Sequence, residues 1–174
     1  KICECHSYVH ENQLSKSFFP IIKSFLTSYP RIDKIAVGIG PGSYTGTRVG
    51  VTIARTLSFG LKIVLQSFYS PLTYLPSHLG RFSFLLPNKS GQFLVMKGIQ
   101  KKNFLESEEP VLIENLEICK KIIDSDYIIS DSSFGFSIPC YLPTVNPQAL
   151  LPLINKLSPS TENKKIFYHH TPPI

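Results

Sequence analysis

Residues 35–60, IAVGIGPGSYTGTRVGVTIARTLSFG, constrain this chain more than any other stretch. Ile35-Ala36-Val37 is a short apolar run of the kind that forms a buried strand. Gly38, Gly40, Pro41 and Gly42 follow, and they can turn tightly because glycine accepts positive φ and proline fixes φ. Ser43 or Thr45 can then cap a helix by accepting from one of its unpaired N–H groups. From Thr45 to Phe59 two glycines alone oppose helix. Strand, glycine turn and helix form the skeleton of a phosphate-binding loop, yet residue identities exclude three familiar versions. The P-loop needs a lysine where Thr47 follows Gly46. The G-x-G-x-x-G fingerprint puts its third glycine at Ser43 or Thr45, and a G-x-S-x-G elbow needs glycines at Pro41 and Thr45. What survives is a general anion nest or structural turn at Gly40, Gly42 and Ser43.

In the helix, Gly46, Gly50, Ala54 and Ser58 recur every four residues and form a row of very small side chains. Interior glycines cost a helix roughly 1 kcal/mol each relative to alanine, so the row marks a place where another backbone comes close. That backbone belongs either to the same domain or to a second subunit. Val49, Ile53 and Leu57 lie beside the row, with Arg48, Thr52 and Arg55 on more polar flanks.

The segment GPGSYTGTRVGVTIARTLSFGL resembles the signature of the TsaB (YeaZ) family, whose members partner TsaD in making threonylcarbamoyladenosine on tRNA. The resemblance implies an α/β, actin-like ATPase (ASKHA, RNase H-like) fold of two small lobes, without TsaD's catalytic equipment. It also implies that the signature helix and the one before it build the homodimer and TsaD interfaces. The expected partner-binding residues are therefore Leu14, Phe18, Gly46, Val49, Gly50, Ile53, Ala54 and Leu57. The family opens with a strand ending in Asp-Thr and then a second strand. Neither has a counterpart ahead of Lys1–Val9, so the expectation is a fold lacking its first strands and an incomplete ATP site. Leu86-Pro-Asn-Lys-Ser-Gly-Gln-Phe93 resembles the family's second-lobe hairpin, with Pro87, Lys89 and Gln92 replacing an aspartate, an arginine and a glutamate. Ile166-Phe-Tyr-His-His170 resembles its closing Pro-x-Tyr-Leu-Arg with the last two positions changed.

Size and charge narrow the alternatives. A chain of 174 residues can bury about two-thirds of its unfolded surface. No apolar run approaches the ~20 residues of a membrane span, and no leader is visible at Lys1, so a cytoplasmic location is expected. A net charge of +6 permits nucleic-acid contact. The lysines come in scattered pairs (101-102, 120-121, 164-165), which read as solvated surface. Cys3, Cys5, Cys119 and Cys140 contain no C-x-x-C pair and are expected as reduced, partly buried thiols.

Along the chain, Lys1–Val9 alternates like a strand. Leu14, Phe18, Phe19, Ile21, Ile22, Phe25 and Leu26 give a helix with a broad apolar face, kinked or restarted at Pro20 and ended by Tyr29-Pro30. After the signature, a strand over Leu61–Gln66 and a helix over Ser70–Leu79 complete a first lobe, residues 1–80. The second lobe, 81–174, is expected to hold strands at Phe82–Leu86, Gln92–Ile99, Pro110–Glu114 and Tyr127–Ser130. Helices are expected at Leu116–Ile123 and Pro147–Leu157, the latter capped by Asn146. The order implies α/β with partly parallel pairing.

No catalytic residues and no metal ligands are assigned. A TsaD-like site would need an H-x-x-x-H pair, whereas Gln66–Leu72 holds neither imidazole nor carboxylate. His169-His170 read as a surface pair, and Asp124, Asp126 and Asp131 as turn residues. The expected function is a non-catalytic scaffold that activates a TsaD-type transferase. No cofactor is expected, with ATP held only at a partner interface. The expected partners are a TsaD-like protein and a TsaE-like ATPase, with a homodimer when alone, tRNA met only indirectly and no membrane. The alternative is an ATPase or glycoprotease-like peptidase using the glycine turn at Gly40–Gly42 as an anion nest; a serine hydrolase would require Ser43 with a histidine and an acid such as Asp131 or Asp33.

Overall fold

The computed structural model describes residues 14–88, 90–102 and 104–156. The expected strand at Lys1–Val9, with Cys3, Cys5, His6 and His10, lies outside these residues, as does the stretch from Leu157 to Ile174.

Helix α1 (Leu14–Ser28) runs unbroken past Pro20; the proline removes one i→i−4 bond and the remaining ladder carries the helix through. Strand β1 (Lys34–Gly38), helix α2 (Tyr44–Leu61) and strand β2 (Val64–Phe68) follow. The two strands pair in parallel, Lys34 beside Val64 through Gly38 beside Phe68, so α2 is the crossover of a β-α-β unit. The second strand starts later than the expected Leu61. Lys62 closes α2 in the left-handed conformation at φ 55, its N–H turned back to the Phe59 and Ser58 carbonyls, and Ile63 N–H also bonds the Ser58 carbonyl at 3.1 Å. Such a cap satisfies the carbonyls that a helix end leaves open. The expected helix at Ser70–Leu79 shrinks to a 3-10 turn, Ser70–Tyr74, followed by extended Leu75. Pro76 supplies no N–H to carry it further.

The second sheet is built on strands β3 (Gly80–Pro87) and β4 (Phe93–Lys101), an antiparallel hairpin. Its turn is held by Asn88, whose Oδ1 accepts from the N–H groups of Ser90 (2.9 Å) and Gln92 (3.1 Å), the side-chain mimicry of a turn at which asparagine excels. Strands β7 (Tyr127–Ile129) and β8 (Cys140–Tyr141) extend the sheet in parallel from β3. On the other side β5 (Phe104–Ser107) and β6 (Val111–Ile113) both pair with β4. Gly98 pairs with Ser107 but Val95 with Val111, so 96–97 face 108–110 and the edge strand carries a one-residue bulge at Glu108–Pro110. Strands β5 and β8 went unseen in the residue pattern.

Two cores sandwich this sheet. On one face Phe82, Phe84, Met96, Leu105, Tyr127 and Ile129 meet Ile39, Val51, Phe68, Tyr69, Leu72 and Leu75. This core therefore joins residues from both sides of position 80. Helix α4 (Pro147–Lys156) covers it with Leu150 and Ile154, and is tied down where Asn146 N–H bonds the Thr73 carbonyl at 3.1 Å. On the opposite face Leu85, Phe93, Val95 and Ile128 pack with Cys119 of helix α3 (Leu116–Ile122) and with Phe134, Phe136 and Ile138. Cys119 is fully buried and Cys140 exposed, rather than both partly buried. Burial raises the Cys119 thiol above its usual range, which leaves it protonated and weakly reactive; the Cys140 thiol is also raised, by desolvation around the sulfur and by the Asp131 charge, although the residue as a whole is exposed.

Candidate functional site: the glycine turn and the helix pair

The turn after β1 is stitched to the end of β2. Ile39 N–H donates to the Phe68 carbonyl at 2.8 Å. Gly40 N–H donates to Ser70 Oγ at 3.0 Å, and Ser70 N–H returns to the Gly40 carbonyl at 2.8 Å. Gly38 is required by contact, because a Cβ there would stand 2.7 Å from Ser70 Oγ. Gly40 is required by conformation, at φ 94. Gly42 is outside that region; a Cβ there would be 3.1 Å from Thr47 Oγ1.

Ser43, not Thr45, is the cap. In extended conformation it accepts the Gly46 N–H on Oγ at 3.1 Å, and its carbonyl accepts from Thr47 N–H at 3.0 Å. The N–H groups of Gly40 and Gly46 are thus committed inside the fold, which leaves an anion fewer donors to meet. The turn works as a rigid corner that aims α2.

On α2, Val51 and Ala54 are buried, at 2% and 6% exposure. Positions four apart advance about 40° around a helix of 3.6 residues per turn. The small-residue row therefore winds across the surface: Gly46 and Gly50 lie toward the open side, Ala54 and Ser58 toward the core. A Cβ at Gly50 would meet no atom within 4 Å, and one at Gly46 only its own cap, Ser43. Ser58 is consumed internally, its hydroxyl donating to the Ile63 carbonyl at 2.7 Å. The structure so divides a row that looked uniform, with Ala54 belonging to the chain's own packing.

Val49, Ile53 and Leu57 are half-buried on the outer side of α2. Helix α1 packs alongside α2. Its Phe18, Ile21, Ile22, Phe25 and Leu26 are likewise half-buried, and Phe19 is 66% exposed. Leu14 opens α1; its side chain lies outside the description. Beyond the expected residues, Phe59 at 88%, Leu61 at 45% and Val64 at 50% extend apolar exposure past the end of α2. An aromatic ring on a polar helix flank was the available signal for Phe59. Two adjacent helices thus carry an apolar face with Gly50 open to close approach, the composition of a helix-docking surface.

Chemistry-bearing groups gather elsewhere. Among the described residues no three His, Cys, Asp or Glu side chains come together as a metal site, and no helix is long and apolar enough to cross a membrane. His78 packs its ring edge-on to Tyr127 at 5.2 Å. Asp124 and Asp126 are more than turn residues. They clasp Arg81, through Nη1 at 2.6 Å and Nη2 at 3.3 Å, and Asp126 also accepts the Arg81 backbone N–H at 2.7 Å.

Comparison with known proteins bears on this same segment. Residues 4–67 match the family model of TsaD, tRNA N6-adenosine threonylcarbamoyltransferase. Over 73 residues, 40% of the chain, the sequence is 37% identical to the tRNA threonylcarbamoyladenosine biosynthesis protein TsaB of Bacillus subtilis (strain 168), of which the match spans 31%. Two solved structures share the fold. One is a protein with similarity to peptidase YEAZ from Pseudomonas aeruginosa (TM-score 0.66, 14% identity, 86% of this chain and 79% of that one). The other is YeaZ from Pseudomonas aeruginosa (TM-score 0.59, 12% identity, 81% and 76%). The shared architecture is the actin-like ASKHA fold.

Proposed function

We propose that this chain is a TsaB/YeaZ-type protein and serves in threonylcarbamoyladenosine biosynthesis as a non-catalytic subunit that docks on and activates a TsaD-type transferase. The observation that carries this reading is the half-exposed apolar face of α1 and α2, centred on a Gly50 whose added Cβ would meet no atom of the described residues within 4 Å. It falls within residues 4–67, the stretch that matches the TsaD family model.

Docking through that face buries apolar surface that water otherwise meets, at roughly 25 cal/mol per Å² before association costs. A specific interface of this type buries about 1,000 Å² or more in total. The same face pairs two copies when no partner is present, so homodimer and heterodimer compete. Nucleotide and metal are held chiefly by the partner, with ATP at most at the shared interface. A TsaE-like ATPase joins the assembly, tRNA is contacted through the partner, and the cytoplasm is the working compartment.

The test is reconstitution. The chain is mixed with a TsaD-type enzyme, tRNA and a threonylcarbamoyl donor, and modified nucleoside is counted. Product above that of the enzyme alone, with none from the chain alone, is expected. Turnover by the chain alone, abolished by Ser43→Ala, would establish the hydrolase or ATPase reading instead.

A further inference from the structure

We propose that the outer edge of the second sheet, with the cleft beside it, is a docking site for an extended basic segment of another protein, which adds to β5 as a further strand. The site is separate from the α1–α2 face. Among the described residues β5 and β6 pair with β4 on one side and with no strand on the other. Glu108 N–H donates to the Lys97 carbonyl at 2.8 Å. Backbone bonding to one neighbour alternates along an antiparallel strand. Phe104 and Glu106 therefore also turn their backbone groups toward β4, and the N–H and C=O groups of Leu105 and Ser107 point outward. Groups presented in this way receive an extended chain.

The charge of that edge selects its occupant. Residues 104–117 contain Glu106, Glu108, Glu109, Glu114 and Glu117 and neither lysine nor arginine, in a chain of net charge +6. Glu109 is engaged by Tyr69 and Glu117 by Lys120, whereas Glu106 is exposed and makes no ion pair among the described residues. The register sets Phe104 and Glu106 opposite Lys101 and Ile99, and Val111 opposite Val95. Glu108, opposite Lys97, shares their face by the two-residue period. That face reads apolar, acidic, acidic, apolar, with Phe104 and Val111 exposed at its ends. A cleft of about 560 Å³ opens on the same side, lined in part by Glu106, Glu108 and Asp124. Its cations are already engaged, Arg81 by Asp124 at 2.6 Å and Lys97 by Glu108 at 3.7 Å. Such an edge repels nucleic acid and a second copy of itself, and it attracts a basic chain.

The pattern of the partner segment follows from the same register. A strand added beside Leu105 and Ser107 lays every second side chain over the cleft face. Opposite charges and apolar pairs stabilise directly across a sheet, and like charges there destabilise. The complementary face therefore reads apolar, basic, basic, apolar, which occupies about seven residues of extended chain. Main-chain bonds to Leu105 and Ser107 supply affinity for any strand, and the carboxylates of Glu106 and Glu108 restrict the choice to a basic one.

The test uses the full chain and the end-blocked peptide VTKTKTV, whose pattern is the same in either direction. Amide exchange at Leu105 and Ser107 should be fast in the chain alone and at least about tenfold slower with saturating peptide. The acidic counterpart VTETETV, and VTKTKTV with alternate peptide nitrogens methylated, should leave it fast. Glu106→Lys, at an exposed site, should keep the wild-type melting temperature, weaken VTKTKTV by at least about tenfold and admit VTETETV. Four results would overturn the proposal. Slow exchange in the chain alone would mean that the edge is already filled from within, and slowing that follows chain concentration would make a second copy the occupant. Equal binding of the methylated peptide would reduce the contact to charge without an added strand. Binding indifferent to Glu106→Lys, or no binding of VTKTKTV at all, would remove the acidic edge as a docking site.

Discussion

Gly40 and Ser70 hold each other twice, through Gly40 N–H to Ser70 Oγ at 3.0 Å and Ser70 N–H to the Gly40 carbonyl at 2.8 Å. This reciprocal pair locks the turn after β1 to the end of β2 and so sets the direction in which α2 leaves the sheet. Gly40→Ala forces a Cβ onto a backbone at φ 94 and should cost roughly 1 kcal/mol or more. Ser70→Ala leaves the Gly40 N–H without its acceptor and should cost about 1–2 kcal/mol. Gly42→Ala, whose φ is ordinary, should cost clearly less than Gly40→Ala. Denaturant melts of the three variants check the order.

Asp126 is held below the usual carboxylate range, first by the Arg81 backbone N–H and then by the guanidinium. A depressed folded value means that the carboxylate's contribution is present above the unfolded pKa of about 3.9 and is lost as pH falls through the lower folded value. Stability of the wild type should therefore decline on acidification below about pH 4, and Asp126→Asn should flatten that decline. Equal slopes in a pH series of melts would remove Asp126 from the acid response.

Tyr69 ties the first β-α-β unit to the bulge of the edge strand. Burial, followed by the charge and hydrogen bond of Glu109, pushes its phenol up to about 12. The raised folded value works in the opposite sense: stability is intact below the unfolded pKa of about 10 and is lost as pH climbs toward 12. Tyr69→Phe should lower stability at neutral pH by about 1 kcal/mol and weaken the alkaline decline. Melts between neutral and strongly alkaline pH decide this.

Much of the first half was legible in its residues. Glycines at 38 and 40 and the cap at Ser43 mark a corner that depends on local chemistry, and local chemistry is what a sequence displays. The outward apolar face of α1 and α2 was legible from its spacing. Its limit on Ala54 was not, since that depends on how a four-residue row drifts around a helix relative to the sheet beneath. The edge strand was half hidden because the bulge at Glu108–Pro110 breaks its alternation and spreads one strand over two short pieces. Strand β8, just Cys140–Tyr141, is too short for any period to register. The clasp of Arg81 by Asp124 and Asp126 spans more than forty positions, and its two carboxylates looked like ordinary turn residues until the parallel pairing of β3 with β7 brought them to the arginine.

The most direct test of the docking face is Gly50→Leu. A Cβ at this position meets no atom of the described residues within 4 Å, and replacing an interior helical glycine adds up to about 1 kcal/mol of helix propensity. The variant should melt at or slightly above the wild-type temperature. Against a partner helix the added side chain holds the backbones apart, and overpacking of this kind costs roughly 1–3 kcal/mol, a weakening of association of about 5- to 150-fold. Sedimentation velocity of Gly50→Leu, alone and with a TsaD-type protein, is the measurement. Normal folding with weakened association is the predicted result; association equal to wild type would contradict the assignment of this face to the partner.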